Sequence, residues 1–427
     1  MQINIERLMA DLERYAQYGM NEEGGITRPS FSAADQTVRR LFISEMIEMG
    51  LDVFVDPAAN IWAKRRGSGR KTGSIVIGSH LDTVPNGGKY DGALGVLMAK
   101  EIVCTLMENN VGTDHDLEIV SFTAEESNDY NLSTMGSRAF AGRLSKEQML
   151  EASDLNGVML KDAIVQVGGD LERYGEFKKL RSEKKAFVEL HIEQGKRLES
   201  KGIAVAVVDR VVGIYRTHVT VVGEANHSGT TMMDHRVDAL AAASEMVLVV
   251  EDVCRSVPSD LVGTVGKLNV KPNATNTIAG QVDFILEIRG GDKEGIRQAL
   301  SSIQQEWKKI AELRGVTIEE RLILNQDPEM LDAQLVDILA GTAKRLNEPY
   351  MHLSSMAVHD AVHVAAVTRS CMIFVRSING KSHSPEEYST PEDIEKVGNV
   401  MLSSILEIDR WLAAGRDEAV APTADAG

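Results

Sequence analysis

Apolar and polar positions in the first half of the chain follow two alternating patterns. The run SIVIG at 74–78 is short, apolar and closed by a polar turn, which predicts a buried strand. Beyond the Gly87-Gly88 turn, apolar residues over 92–107 recur at helical spacing. The segments 117–123 (LEIVSFT) and 187–191 (FVELH) read as further strands. Strands alternating with helices predict an α/β layer with a largely parallel sheet, because parallel neighbours need a crossover between them.

Near Val211 the pattern changes. Strands are expected over 215–223, 263–270, 282–289 and 316–322, with helices over 238–254 and 292–313. This β-α-β-β-α-β order predicts a small ferredoxin-like α+β insertion. The α/β pattern then resumes with a helix over 332–346, a strand over 371–376 and a closing helix over 391–414. The expected architecture is therefore an α/β catalytic domain, residues 1–210 and 326–415, whose central mixed, mostly parallel sheet is flanked by helices. A lid-like domain at 211–325 interrupts it, and 416–427, which lacks apolar periodicity, is expected to be a disordered tail.

Composition narrows the function. The chain has 427 residues, about three times the commonest domain size, so two or three compact units are expected. Its net charge of -17 has no basic cluster to offset it beyond Lys64-Arg65-Arg66 and Lys184-Lys185, which argues against nucleic-acid binding. No apolar run approaches the roughly 18 residues of a membrane span, and the first residues read as a polar amphipathic segment rather than a signal peptide. Cys104, Cys254 and Cys371 are few and widely spaced, so a disulfide framework is not expected and a reducing cytoplasm is. Each lies among apolar residues and reads as a buried, inert thiol.

The candidate chemistry lies where acids and imidazoles follow strands. His80 comes just past the strand at 74–78, where open α/β sheets bind ligands, and Asp82 is placed to orient its ring. Asp91 opens the next helix, where a plain N-cap is the simpler role. Glu125 and Glu126 end another strand; paired carboxylates repel one another unless a cation or a shared proton compensates. On an extended segment they point to opposite sides, so one can hold a metal while the other faces water. His191 and His383 follow two further strands. Three imidazoles and two carboxylates without cysteine suit a borderline divalent cation such as Zn²⁺, and a bridging carboxylate suits a pair of cations.

The motifs HLDTVPNGGKYDGALG, EE followed by MGSRAFAG, ELHIEQG, NHSGTT, NATNTI, EIR, HDA and GKSHSPEEY occur in order along the chain. Over roughly residues 10–413 this pattern resembles the M20-type hydantoinase/carbamoylase amidases, a group that includes N-carbamoyl-L-amino-acid hydrolases, allantoate amidohydrolases and β-ureidopropionases. The resemblance implies two divalent cations, Zn²⁺ first, with Mn²⁺, Co²⁺ or Ni²⁺ as alternatives. One is assigned to His80 and His191 and the other to Glu126 and His383, with Asp91 as the bridge. It makes Glu125 the general base and then the acid. His227 would steady an oxyanion in the partner subunit of a homodimer formed through the lid. Asn276 and Arg289 would grip a substrate carboxylate, with Gln194 and His359 as further contacts. The implied substrate is an N-carbamoyl amino acid or an allantoate-like molecule.

Simpler roles stand beside these. Arg289 has Glu287 and Asp292 within reach, Asn276 suits a turn, His227 can cap backbone, Gln194 can serve a loop, and His359 can merely start a helix. His115, His218, His235, His352 and His363 match no motif and read as structural or surface groups. The chain also departs from the family pattern at Ser127-Asn128-Asp129-Tyr130-Asn131, Lys196, Met232, Val358 and Arg376. None of these removes a ligand or the base. Several are expected in the pocket, where they bear on substrate identity.

Overall fold

The computed structural model describes residues 1–257 and 260–415; the expected tail at 416–427 lies outside the described residues. The chain divides into two compact units. One comprises Met1–Asp209, Leu331–Leu353 and the chain from His359 on; the other comprises Arg210–Met330 and Ser354–Val358.

The strands, in chain order, are β1 (Asp52–Val55), β2 (Ile61–Arg65), β3 (Ser74–His80), β4 (Asp116–Phe122), β5 (Lys184–Ile192), β6 (Val205–Val211), β7 (Gly213–Val222), β8 (Leu261–Lys271), β9 (Gln281–Gly290), β10 (Thr317–Gln326), β11 (Glu329–Met330), β12 (Tyr350–Ser355) and β13 (Arg369–Val375). The large sheet of the first unit runs β1-β2-β4-β3-β5-β13-β6. β4, β3, β5 and β13 are mutually parallel neighbours, whereas β1, β2 and β6 join antiparallel. Every residue of β3 is buried, and so is all of β4 except its first. That is the pattern of strands covered on both faces by helices. Ala93–Glu108 is one covering helix, and its buried residues lie all round its circumference. The result is an α/β fold with a mixed sheet flanked by helices.

Some elements go beyond the sequence expectation. β1 and β2 form a short antiparallel ribbon against β4, with the buried Trp62 stacked on Phe54. β6 extends the other edge through VAVV at 205–208, which pairs with 372–375 of β13. His80 is the last residue of β3 rather than a residue beyond it.

The second unit is a four-stranded antiparallel sheet in the order β10-β7-β9-β8. The helices Ala239–Ser256 and Lys293–Arg314 share one core with it. Each is capped by an aspartate, Asp238 or Asp292, whose carboxylate accepts first-turn N–H groups. Trp307 seals this core, donating its Nε1–H to the Met246 carbonyl (2.9 Å) and meeting Phe284 edge-on at 5.6 Å. β8 lies at the sheet edge with most of its residues exposed or half-buried.

Candidate metal centre

The parallel strands β4, β3, β5 and β13 bring their carboxyl ends together, which is where α/β sheets place ligands. His80 ends β3, His191 comes one residue before the end of β5, Glu125 and Glu126 follow β4, and His383 follows β13. The turn after β3 is held by the buried Arg28, whose guanidinium donates to the carbonyls of Leu81 (2.8 Å), Tyr15 and Tyr18 (2.9 Å each).

These side chains converge on Asp91. Its Oδ1 lies 3.1 Å from His191 Nε2 and 3.5 Å from His80 Nε2. Its Oδ2 lies 3.5 Å from His383 Nε2, which is 3.4 Å from Glu126 Oε1. The ligand atoms of His80, Asp91 and His191 all lie within 4.8 Å of one another, as do those of Asp91, Glu126 and His383. We call these the inner and outer groups; Asp91 belongs to both.

The hydrogen bonds of the two inner rings test whether a cation fits. Nδ1 of His80 is 3.0 Å from the Asp82 carbonyl, and Nδ1 of His191 is 3.0 Å from the Ile192 carbonyl. A carbonyl only accepts, so each Nδ1 carries a proton and each Nε2 faces Asp91 with either a second proton or a lone pair. A lone pair facing a carboxylate oxygen is repulsive unless a proton or a metal ion lies between them. The second arrangement is the usual one for a metal-bound histidine, whose other ring nitrogen donates to an oxygen. Burial disfavours charge on Asp91, yet His191, His383 and His80 hold its carboxyl well below the usual range. The donor set fits divalent cations.

Glu125 and Glu126 approach different rings. Glu126 faces His383, while Oε2 of Glu125 lies 3.6 Å from His80 Nε2. Burial drives the Glu125 carboxyl well above its ordinary range; the charges of Glu126, Asp360 and Asp82 add to this and His80 opposes it. Glu126 is pushed up to about 7 by burial and by Asp91. The backbone around the pair is fixed on both sides. Ala124 adopts a φ of 56°, its N–H donates to Ser30 Oγ (2.9 Å), and the Glu125 carbonyl accepts from Thr134 N (2.7 Å).

Asp82 orients His80 through its main chain, since its carboxylate lies 3.5 Å from Nδ1. That carboxylate instead accepts the backbone N–H groups of Glu125 (3.4 Å) and Glu126 (3.1 Å). Gln194 donates its amide to Asp91 Oδ2 (2.8 Å), and its Oε1 is buried with no hydrogen-bond partner. His359 stands at a helix start without capping it. Its ring is buried 4.3 Å from that of His191, its Nε2 has no hydrogen-bond partner, and burial keeps it neutral.

The other three candidates belong to the second unit. Exposed His227 and Asn276 lie on paired segments: His227 bridges to Thr277, and Ser228 N donates to the Asn276 carbonyl (3.0 Å). Nδ1 of His227 accepts from Gly229 N (3.1 Å). Arg289 donates to Glu287 (2.7 Å) and to the Met356 carbonyl (3.0 Å). Of the departures from the family pattern, Arg376 has its guanidinium taken up by Asp393 (2.9 Å and 2.8 Å).

Two buried acids at the centre were not singled out from sequence. Glu189 joins Ser79 Oγ (2.7 Å) to Ala361 N (2.8 Å), and Glu387 accepts from Tyr90 N and Asp91 N (3.0 Å each). Both lie inside recognised motifs, ELHIEQG and GKSHSPEEY, but nothing in their spacing separates them from solvated acids.

The family described as Peptidase family M20/M25/M40 matches residues 76–407. The chain belongs to the M20/M25/M40 peptidase family. It is 37% identical to an N-carbamoyl-L-amino acid amidohydrolase of Geobacillus stearothermophilus, over 95% of this chain and 99% of that protein. It is 33% identical to an allantoate amidohydrolase of Bacillus subtilis, over 95% and 98%. Among solved structures, a hydantoinase/carbamoylase family amidase from Burkholderia multivorans matches with a TM-score of 0.88 at 30% identity, over 95% of this chain and 98% of that one. Membership in the M20/M25/M40 family implies divalent metal ions, for which the inner and outer groups supply donors. It makes the chain a hydrolase acting on C–N bonds. Among the described residues, no helix is long and apolar enough to cross a membrane.

Proposed function

We propose that the protein hydrolyses the carbamoyl C–N bond of N-carbamoyl-L-amino acids, giving the L-amino acid and carbamate, which decays to CO₂ and ammonia. The observation that carries this reading is a single carboxylate, Asp91, shared by two donor groups with the acid Glu125 beside them but in neither. A bound pair of divalent cations, Zn²⁺ first and Mn²⁺, Co²⁺ or Ni²⁺ as alternatives, supplies Lewis-acid polarisation of the ureido carbonyl and acidifies water. His80, His191 and Asp91 would hold one cation; Glu126, His383 and Asp91 would hold the other.

Glu125 takes the proton of the attacking water and returns it to the leaving nitrogen. Its burial supports this role, because a carboxyl raised above its usual range is a stronger base near neutral pH. Asp82 keeps Glu125 and Glu126 in register through their main-chain N–H groups. Arg289 and Asn276 receive the substrate's α-carboxylate, for which a planar guanidinium is well shaped, so Arg289 must exchange Glu287 for substrate. Gln194 and His359 line the substrate site, and His227 steadies the oxyanion from a second subunit.

The second unit acts as lid and dimerisation domain, with β8 as the contact edge. Val262 and Leu268 on this open strand are 49% and 40% exposed, and an unpaired strand edge favours pairing with a second copy. The free thiols Cys104, Cys254 and Cys371 support a reducing, cytoplasmic setting.

The test is a panel of N-carbamoyl-L-amino acids and allantoate assayed with added Mn²⁺, Co²⁺ or Zn²⁺. Metal-dependent ammonia release, fastest on the N-carbamoyl amino acids, is expected. Preference for allantoate would move the protein to the second reading, which the Bacillus relative supports. No turnover of any ureido substrate would overturn both.

A further inference from the structure

Glu387 is 4% exposed and makes no ion pair among the described residues, yet it lies between the two segments that meet at Asp91. Its Oε1 accepts the main-chain N–H groups of Tyr90 and Asp91, 3.0 Å each. Its Oε2 is 3.3 Å from the hydroxyl of Ser382, which is itself 3.0 Å from Asp91 Oδ2. Gln194 closes the ring by donating to both Asp91 Oδ2 (2.8 Å) and Ser382 Oγ (3.1 Å). Glu387 therefore ties the main chain of Tyr90 and Asp91 to the loop that carries His383, and the one Ser382 hydroxyl proton serves either Glu387 or Asp91.

The sequence around Asp91 is shaped to this acid. A Cβ on Gly88 would come within 2.2 Å of Glu387 Oε1 and 2.4 Å of its Cβ, so only glycine lets the GGKYDG turn close over it. His383, by contrast, is held weakly: its side chain is 50% exposed, its φ is 55°, and its ring lies 3.4 Å or more from Glu126, Asp91 and Gln194. With so few ring contacts, the place of His383 depends on its loop.

We propose that Glu387 is a positioning residue for the outer cation: it locks the loop bearing His383 to the main chain of Asp91, so that Asp91 can bridge. This rests on the two-cation reading above. A neutral carboxamide at 387 keeps one acceptor for the two N–H groups but loses the charge that strengthens both bonds, and alanine loses everything. Outer-position partners of metal ligands commonly matter by about 10–100-fold in metal affinity.

The experiment is equilibrium dialysis of the full chain with Mn²⁺, read with the exchange-coupled EPR signal of a cation pair. Wild type is expected to bind two equivalents and show the coupled signal. E387A is expected to keep one equivalent at unchanged affinity and to lose the coupled signal. E387Q is expected to bind two, the second about tenfold more weakly. A role in stability alone would lower the melting temperature without separating the two cations. Folded E387A with two equivalents at wild-type affinity would overturn the proposal. If E387A does not fold, E387Q decides, and an unchanged second affinity there would overturn it. Wild type binding fewer than two equivalents would instead sink the two-cation reading and the proposal with it.

Discussion

The inner and outer groups share Asp91 but are built differently. His80 and His191 are residues of two parallel strands, β3 and β5, and their side chains are each 1% exposed. Each ring is aimed by a carbonyl within two residues of it, so the local backbone fixes the direction of Nε2. Glu126 and His383 stand on loops, and His383 is half exposed at a positive φ. The inner group is thus as rigid as the sheet, whereas the outer group needs main-chain anchors: Asp82 under Glu126, and Glu387 under the loop of His383. One donor group is set by the fold and the other by hydrogen bonds between loops.

Removing an inner ligand should have the largest effect. His191→Ala is expected to lose both cations and all turnover, while His383→Ala keeps the inner one; metal content of the purified variants checks this, and equal losses would erase the distinction. Next comes Glu125→Gln, expected to keep both cations and lose about 10²–10⁴-fold in kcat. Near-normal turnover would remove Glu125 from its role. The rigidity of the inner half can be tested at the opposite end of β5. There Lys184 pairs with Glu118 of β4 at 2.6 Å, with both side chains at most 1% exposed. Lys184→Met leaves Glu118 with Lys64 at 3.0 Å as its remaining ion-pair partner among the described residues, and should destabilise the protein by about 3 kcal/mol in denaturant unfolding. A much smaller effect would mean that the sheet tolerates loosening beneath His191.

Smaller effects are expected at the anchors and in substrate binding. Asp82→Asn weakens two charge-assisted bonds to the Glu125-Glu126 main chain, worth about 1.5–3 kcal/mol together, and should lower kcat more than inner-cation affinity. Arg289→Ala should raise KM for carboxylate substrates about tenfold with little change in kcat, as loss of uniform binding does. An unchanged KM would take Arg289 out of the anion site.

What the sequence made legible follows the same division. Strand-end histidines could be read because apolar runs such as SIVIG at 74–78 and FVEL at 187–190 announce buried parallel strands, and the histidine follows directly. The position of Glu125-Glu126 after β4 was legible for the same reason. The two strands at one end of the sheet were not: β1 and β2 are short and mixed in polarity, and β1 has no fully buried residue. The anchors were hidden too, because Glu387 acts on main-chain N–H groups almost 300 positions away, and such a bond leaves no pattern of residue types. Asp82 was expected to orient the His80 ring with its carboxylate; its carbonyl meets the ring instead, because which oxygen meets which partner depends on backbone geometry that spacing does not encode.

The central claim is that one carboxylate serves two cations. Anomalous diffraction from crystals of the full chain equilibrated with Mn²⁺ or Zn²⁺ tests it directly. The account predicts two anomalous peaks flanking Asp91, about 3.5–4 Å apart, one against His80 and His191 and the other against Glu126 and His383. A single peak, or peaks that leave Asp91 unligated, would contradict it.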